Sequence, residues 1–207
     1  MAALPASFYA RPTLTVAADL IGCVLVHDHG GVRCSGRIVE VEAYIGEADP
    51  ACHAAAGPTA RNQPLYGPAG LAYVYFNYGM HWLVNAVTEA AGAPAAVLVR
   101  ALEPLTGLEA MRARRGEARA AARDGVTWSG RDAHLCRGPG NLTRALGITG
   151  AQNHAPLSAG PLRIHAPSVK AAPLPVSWSG RVGIRLGQDR PWRAYVAGHP
   201  AVSGAPR

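Results

Sequence analysis

The sequence predicts an α+β fold: a single domain over residues 1–207, with a curved, mostly antiparallel β-sheet core, peripheral helices and a protruding β-hairpin. Three observations point there. Strand-like stretches outnumber helical ones. Turns join most of them. The 207-residue chain is 49% hydrophobic, enough to bury one sizeable core.

The elements follow in order. Residues 14–21, LTVAADLI, read as a short helix stopped by Gly22. CVLVHD (23–28) reads as a strand, HGG (29–31) as a hairpin turn, and VRCSGRIVEVEAY (32–44) as the returning strand, bent near Gly36. In that strand Val39, Val41 and Ala43 alternate with Glu40, Glu42 and Tyr44. The polar set therefore shares one face, aimed at solvent or into a polar cavity. Residues 45–70 are rich in Gly, Pro, Asp and Asn and form an ordered, irregular loop. A loop of that length inside a compact domain is often functional. AYVYFNYGMHW (72–82) starts as a strand and bends at Asn77, Tyr78 and Gly79. Val74 and Phe76 face the core, Tyr73 and Tyr75 the other side. WLVNAVT (82–88) and AAVLVRA (95–101) are further strands. LTGLEAMRARRGEARAAARDG (105–125) reads as an arginine-rich helix weakened at Gly116. NLTRALGI (141–148) reads as a short helix entered through RGPG (137–140), and brief strands such as RVGIRLG (181–187) and RAYVAG (193–198) complete the chain.

Charge narrows the function. The formal net charge is +7, which makes nucleic acid the leading class of partner. Lys170 is the only lysine. A genome biased towards G and C accounts for most of that preference for arginine, but not for the net charge. No apolar run approaches the ~18 residues needed to cross a bilayer, and the N-terminus MAALPASFYARPTL lacks the basic start and apolar stretch of a signal peptide. The expectation is a soluble protein that is not secreted. Cys23 and Cys34 sit in apolar strand contexts as small core residues, and no CxxC pair indicates a zinc or redox motif.

Several residues could carry chemistry. Glu42 is either a solvated carboxylate on a half-exposed strand or one poised in a cleft to activate water. The irregular loop that follows it would roof such a cleft. Glu40 and Glu42 lie ~7 Å apart along the strand, as any i, i+2 pair does, so the spacing alone assigns no paired-acid chemistry. Arg100 ends an apolar strand and needs a buried partner, which a carboxylate across the sheet would supply. His53 and Asn85 suit structural hydrogen bonds or the reading of a base edge. A metal site of His53 with Cys52 and Asp49 lacks any recognised zinc spacing, so none is expected. Tyr73 and Tyr75 are in step to line a slot for a flat ring, with Tyr44 as the opposite wall. Tyr78 beside Gly79 suits an apolar wedge that enters stacked bases.

Taken together the segments resemble the alkyladenine (3-methyladenine, methylpurine) DNA glycosylase family of the mammalian type. The resemblance runs through FY (8–9), LIGCVLV (20–26), GRIVEVEAYIGEADPACHA (36–54), ARN (60–62), YVYFNYGMHWLVN (73–85), VLVRALEPLTGLEAMR (97–112), LCRGPGNLTRALGI (135–148), RVGI (181–184) and YVAGHPAVS (195–203). IVEVEAY and YVYFNYGM, in order and at family-like spacing, are the specific parts. It implies a monofunctional glycosylase of base excision repair that uses water, with no cofactor and no metal. Its substrate would be double-stranded DNA carrying alkylated or deaminated purines. On that resemblance Glu42 is the general base and Arg100 positions the water. Tyr44, His53 and Tyr75 enclose the flipped base, and Asn85 crowds the 2-amino group of guanine. Tyr78 intercalates, and Met80, Arg137, Gly138 and Asn141 lie along the DNA backbone. The chain departs from the pattern at His81, at Asn141 and in a shorter segment around 186–192. The expected protein is a monomer with no obligate protein partner, in the nucleoid of a bacterial cytoplasm or otherwise in the nucleus. Two other classes stand beside it: a non-catalytic damage-specific DNA-binding protein and a small-molecule nucleoside hydrolase.

Overall fold

The computed structural model of the protein describes residues 2–116, 130–167 and 174–204. Its frame is one long strand, β2 (Val32–Ile45). The first half of β2 pairs with β1 (Val24–His29), and on the same edge its second half pairs with β8 (Arg193–Val196). Its other edge pairs along nearly its whole length with β5 (Ala95–Thr106). Beyond β5 lie β4 (His81–Val87) and β3 (Ala72–Asn77). β6 (Leu162–His165) flanks β1, and β7 (Val176–Ser179) flanks β8. Every pairing is antiparallel. A strand shared between two partners on one edge forces the sheet to curl, which is the curved sheet expected from the sequence.

Among the described residues four helices accompany the sheet: α1 (Ala6–Tyr9), α2 (Thr13–Leu20), α3 (Leu108–Arg115) and α4 (Pro139–Leu146). Val16, Ala17 and Leu20 of α2 recur at helical spacing and are fully buried with Val39, Val41 and Ala43 of β2. Leu142, Ala145 and Leu146 of α4 join the same core. Each large aliphatic side chain buried in this way contributes about 1.5–3 kcal/mol. No helix among the described residues is long and apolar enough to cross a membrane.

One open alternative is decided and three readings change. Of solvent or a polar cavity, the polar face of β2 does not meet solvent: Glu40 and Glu42 are both fully buried, because β5, β8 and the C-terminal segment close over them. RVGIRLG (181–187) forms no strand; Arg181 and the Val182 amide are bonded to carboxylates instead of to a ladder. The arginine-rich helix begins later, at Leu108, since β5 continues through Pro104 to Thr106. Pro104 faces Gly36 where the register slips, the kind of place a strand tolerates proline. The helix ends at Gly116, and the rest of the expected segment to 125 lies outside the described residues. Finally, Phe76 is 44% exposed rather than core, because β3 and β4 run out beyond the body after Val74. Phe76 covers Trp82 across the hairpin instead, with ring centroids 4.8 Å apart.

This hairpin is anchored at its base. A Cβ on Gly140, in the first turn of α4, would stand 2.7 Å from Cγ of His81. His81 thus packs against a helix start that has no side chain. Gly140→Ala should therefore push His81 aside and destabilise the protein by about 1–3 kcal/mol, the usual cost of overpacking. Thermal unfolding checks this; an unchanged midpoint would show the contact to be soft.

Candidate active site

Two register slips in β2–β5 shape the centre of the molecule. The pairing shifts between Ile38 and Glu40 and shifts back before Val41, so Val39 and Arg100 have no partner across the ladder. Such paired irregularities re-aim side chains. Here the Arg100 guanidinium is turned onto the two carboxylates of β2. Its Nε donates to Glu40 Oε1 at 3.0 Å, its NH1 to Glu42 Oε2 at 3.2 Å and its NH2 to Ser203 Oγ at 3.1 Å. The partner the sequence demanded for a buried arginine is thus present twice. Burial works against its charge, but Glu42 and Glu40 outweigh it, and the net shift of Arg100 is upwards.

Glu42 accepts two further hydrogen bonds. The Val182 amide donates to Oε1 at 2.6 Å and the Tyr44 hydroxyl to Oε2 at 2.8 Å. A carboxylate offers about four lone-pair sites. Three are occupied, two of them on Oε2, which leaves one on Oε1. Burial, and then the neighbouring Glu42 carboxylate, push the Tyr44 hydroxyl far above the ordinary tyrosine range, so it remains a donor.

A cavity of about 340 Å³ lies against this cluster. Its wall includes Tyr44, His53, Tyr73, Tyr75, Asn85 and Arg100, and its rim includes Asn77, Tyr78 and Pro139. Glu42 itself does not reach the cavity. It sits one hydrogen bond behind three lining residues, Tyr44, Arg100 and Val182. Of the expected pocket residues the fold therefore brings together Tyr44, His53, Tyr75, Asn85 and Arg100, with Glu42 directly beneath them.

The walls are held by specific contacts. His53 Nδ1 bonds the Tyr73 hydroxyl at 2.8 Å, and its ring meets Tyr75 edge-on at 4.5 Å. Burial, and then Arg61, hold His53 below the ordinary histidine range, which favours the neutral ring. Asn85 donates its amide to the Tyr73 carbonyl at 3.0 Å. The loop that carries His53 is ordered by Asn62, whose amide donates to the His53 and Gly57 carbonyls. His53, Cys52 and Asp49 do not converge as a metal set, because the Asp49 carboxylate is committed to Arg181 at 2.6 and 2.8 Å.

That ion pair is the largest feature the sequence reading missed. Arg181 stacks over the Tyr44 ring at 4.7 Å and also bonds the Ala43 carbonyl. It fixes one wall of the cavity from behind while its neighbour Val182 holds Glu42. An arginine in a segment otherwise read as a strand, with an aspartate in the facing loop, was the available signal.

Outside the cavity the hairpin tip is fully presented. Tyr78 is 82% exposed and Met80 68%. Tyr78 and Gly79 both have positive φ, 48° and 64°, as a type I′ turn requires. The start of α4 lies alongside: Gly138 is its N-cap, Asn141 bonds back to the Arg137 carbonyl, and Arg137 Nε bonds the Val202 carbonyl. The hairpin, the cavity mouth and the first turn of α4 thus form one continuous face.

Comparison with known proteins places the chain in a family. A family model described as methylpurine-DNA glycosylase matches residues 7–200. A protein of Methanoculleus marisnigri named "Putative 3-methyladenine DNA glycosylase" is 48% identical over 202 residues, 97% of this chain and 98% of that one. Proteins of the same name from Chlorobium phaeobacteroides and Burkholderia cenocepacia are 44% and 46% identical, over 99% and 98% of this chain and 96% and 91% of theirs. A match of this extent bears out the resemblance read from IVEVEAY and YVYFNYGM: the chain belongs to the methylpurine-DNA glycosylase family, enzymes that hydrolyse N-glycosyl bonds in DNA.

Proposed function

We propose that the whole 207-residue chain acts as a single glycosylase domain on double-stranded DNA. It would excise alkylated or deaminated purines of the 3-methyladenine, 7-methylguanine, hypoxanthine and ethenoadenine class by direct attack of water. The observation that carries this reading is a buried carboxylate, Glu42, with one free acceptor site beneath an aromatic cavity whose mouth adjoins an exposed, strained tyrosine.

Binding begins at the phosphates. The net charge of +7 draws the duplex, and affinity falls with salt as counterions are released. Met80 at the hairpin tip, Arg137, Gly138 and Asn141 at the start of α4 follow the backbone. Tyr78 enters the stack and fills the gap as the damaged nucleotide rotates out. A lesion that pairs or stacks poorly costs less to extrude, which supplies part of the selectivity.

The flipped base lies between Tyr44 and Tyr75, with His53 at its edge. Cationic alkylpurines gain from the electron-rich tyrosine faces. Asn85, held to the Tyr73 carbonyl, crowds the 2-amino group of guanine. Water enters between Tyr44, Arg100 and Val182 when these give way by a water's width. It donates to the remaining lone pair of Glu42 Oε1 while Arg100 holds it towards the sugar C1′. The C1′–N bond breaks as the water oxygen bonds C1′ and Glu42 takes the proton. A cationic base leaves neutral without further acid.

The test is the release of free base from a duplex containing 3-methyladenine or hypoxanthine, beside the corresponding free nucleosides. Release from the duplex alone is expected. Release from nucleosides at a similar rate would favour a nucleoside hydrolase, and tight lesion binding without release a damage-binding protein. The protein is expected to work as a monomer, in whichever compartment holds the genome.

A further inference from the structure

Glu40 has no part in the reaction just described, yet it is as deeply buried as Glu42. It accepts from Arg100 Nε at 3.0 Å, from Arg193 Nε at 2.7 Å and, through Oε2, from the Ser203 amide at 2.6 Å. Arg193 is itself 1% exposed and also bonds Ser179 Oγ and the Ser203 carbonyl. Ser203 in turn accepts from Arg100 NH2 at 3.1 Å. Two carboxylates and two guanidiniums therefore form one buried, electrically balanced cluster, in which Arg100 is the only member bonded to both acids.

The geometry points to Glu40 as a positioning residue that aims Arg100 and sets the basicity of Glu42. This inference rests on the reading of Glu42 as the general base. Glu40 occupies Arg100 Nε, so only NH1 is turned to Glu42. It also cancels one of the two positive charges beside the base. Without it the cluster would carry a net positive charge, and Arg100 would be free to present two nitrogens to Glu42.

Among the described residues, groups from several elements face the pair. Glu40 is faced by Arg100 from β5, Arg193 from β8 and Ser203 from the C-terminal segment, with Tyr195 opposite it in the ladder. Glu42 is faced by Arg100, the Tyr44 hydroxyl and the Val182 amide, with Arg181 and Tyr75 within electrostatic reach. An excess of positive charge holds the Glu42 carboxylate more tightly, so the sign is fixed: the acid limb of base release moves to lower pH and the attacking water is drawn less strongly.

The experiment is the pH profile of single-turnover base release by the parent, Glu40→Gln, Glu40→Asp and Ser203→Ala. In Glu40→Gln the acid limb should move down by roughly one pH unit, the lower end of what a neighbouring charge does to a carboxylate. The plateau rate should fall roughly tenfold, in line with a weaker base. Glu40→Asp keeps the charge and should restore the parental limb, whereas a merely structural role would leave both limbs alike. A Glu40→Gln protein with the parental limb and plateau overturns the inference. If Glu40→Gln does not fold, Ser203→Ala decides. It keeps every charge and removes one anchor of Arg100, so its plateau should fall several-fold with the limb unmoved; a parental plateau overturns the inference. A parent that releases no base removes the glycosylase reading and this inference together, whereas an active parent with an unaffected Glu40→Gln removes this inference alone.

Discussion

Glu42→Gln should bind lesion-containing duplex with near-parental affinity and release base about 10³-fold more slowly, within the range lost when a general base is removed. The cavity walls keep contacts that do not involve Glu42: His53 on Tyr73 and Tyr75, and Arg181 over Tyr44. The variant should also be less stable. Each oxygen of Glu42 faces at least one donor, so a glutamine NH2 in either orientation opposes an N–H, of Val182 or of Arg100. Leaving a buried donor unpaired costs about 1–3 kcal/mol, and removing the carboxylate charge from Arg100 adds to it. Single-turnover release and duplex-binding titrations check the first part, thermal unfolding the second. Parental excision by this variant would remove Glu42 as the base.

The sequence was most legible where local pattern and fold agree. The alternation in IVEVEAY placed Glu40, Glu42 and Tyr44 on one face, and the structure keeps them there. What alternation could not supply was the environment of that face. Whether it meets water depends on β8 and the segment around Arg181 folding back from about 140 residues later, and no local window contains that. The same limit hid the Asp49–Arg181 pair, whose members look like an ordinary loop acid and a strand arginine. Phe76 failed for a related reason: period-two alternation assigns sides of a strand, but not where the strand leaves the body. The bend at Tyr78 was legible because Gly79 follows it, whereas the assignment of that ring to leave the protein rested mainly on the family resemblance.

That bend leads to the second large effect. Tyr78 holds φ at 48°, a left-handed conformation that costs a residue with a side chain about 1 kcal/mol, and it gains no burial there in return. Glycine adopts the same conformation without that penalty. Tyr78→Gly should therefore raise the unfolding midpoint by about 2–4 °C, the shift that about 1 kcal/mol produces in a domain of this size. The same change removes the ring that would stack in the duplex, a contact worth about 1–3 kcal/mol, so affinity for a lesion duplex should fall by roughly 10- to 100-fold. Tyr78→Ala separates the two effects: it loses the ring but keeps a Cβ in the left-handed region, so affinity should fall without the gain in stability. Opposite movement of stability and affinity in the glycine variant is what a tyrosine held in place for DNA requires. A glycine variant no more stable than the parent would mean that the tip is not strained. One that binds lesion duplex as the parent does would mean that Tyr78 does not enter the stack.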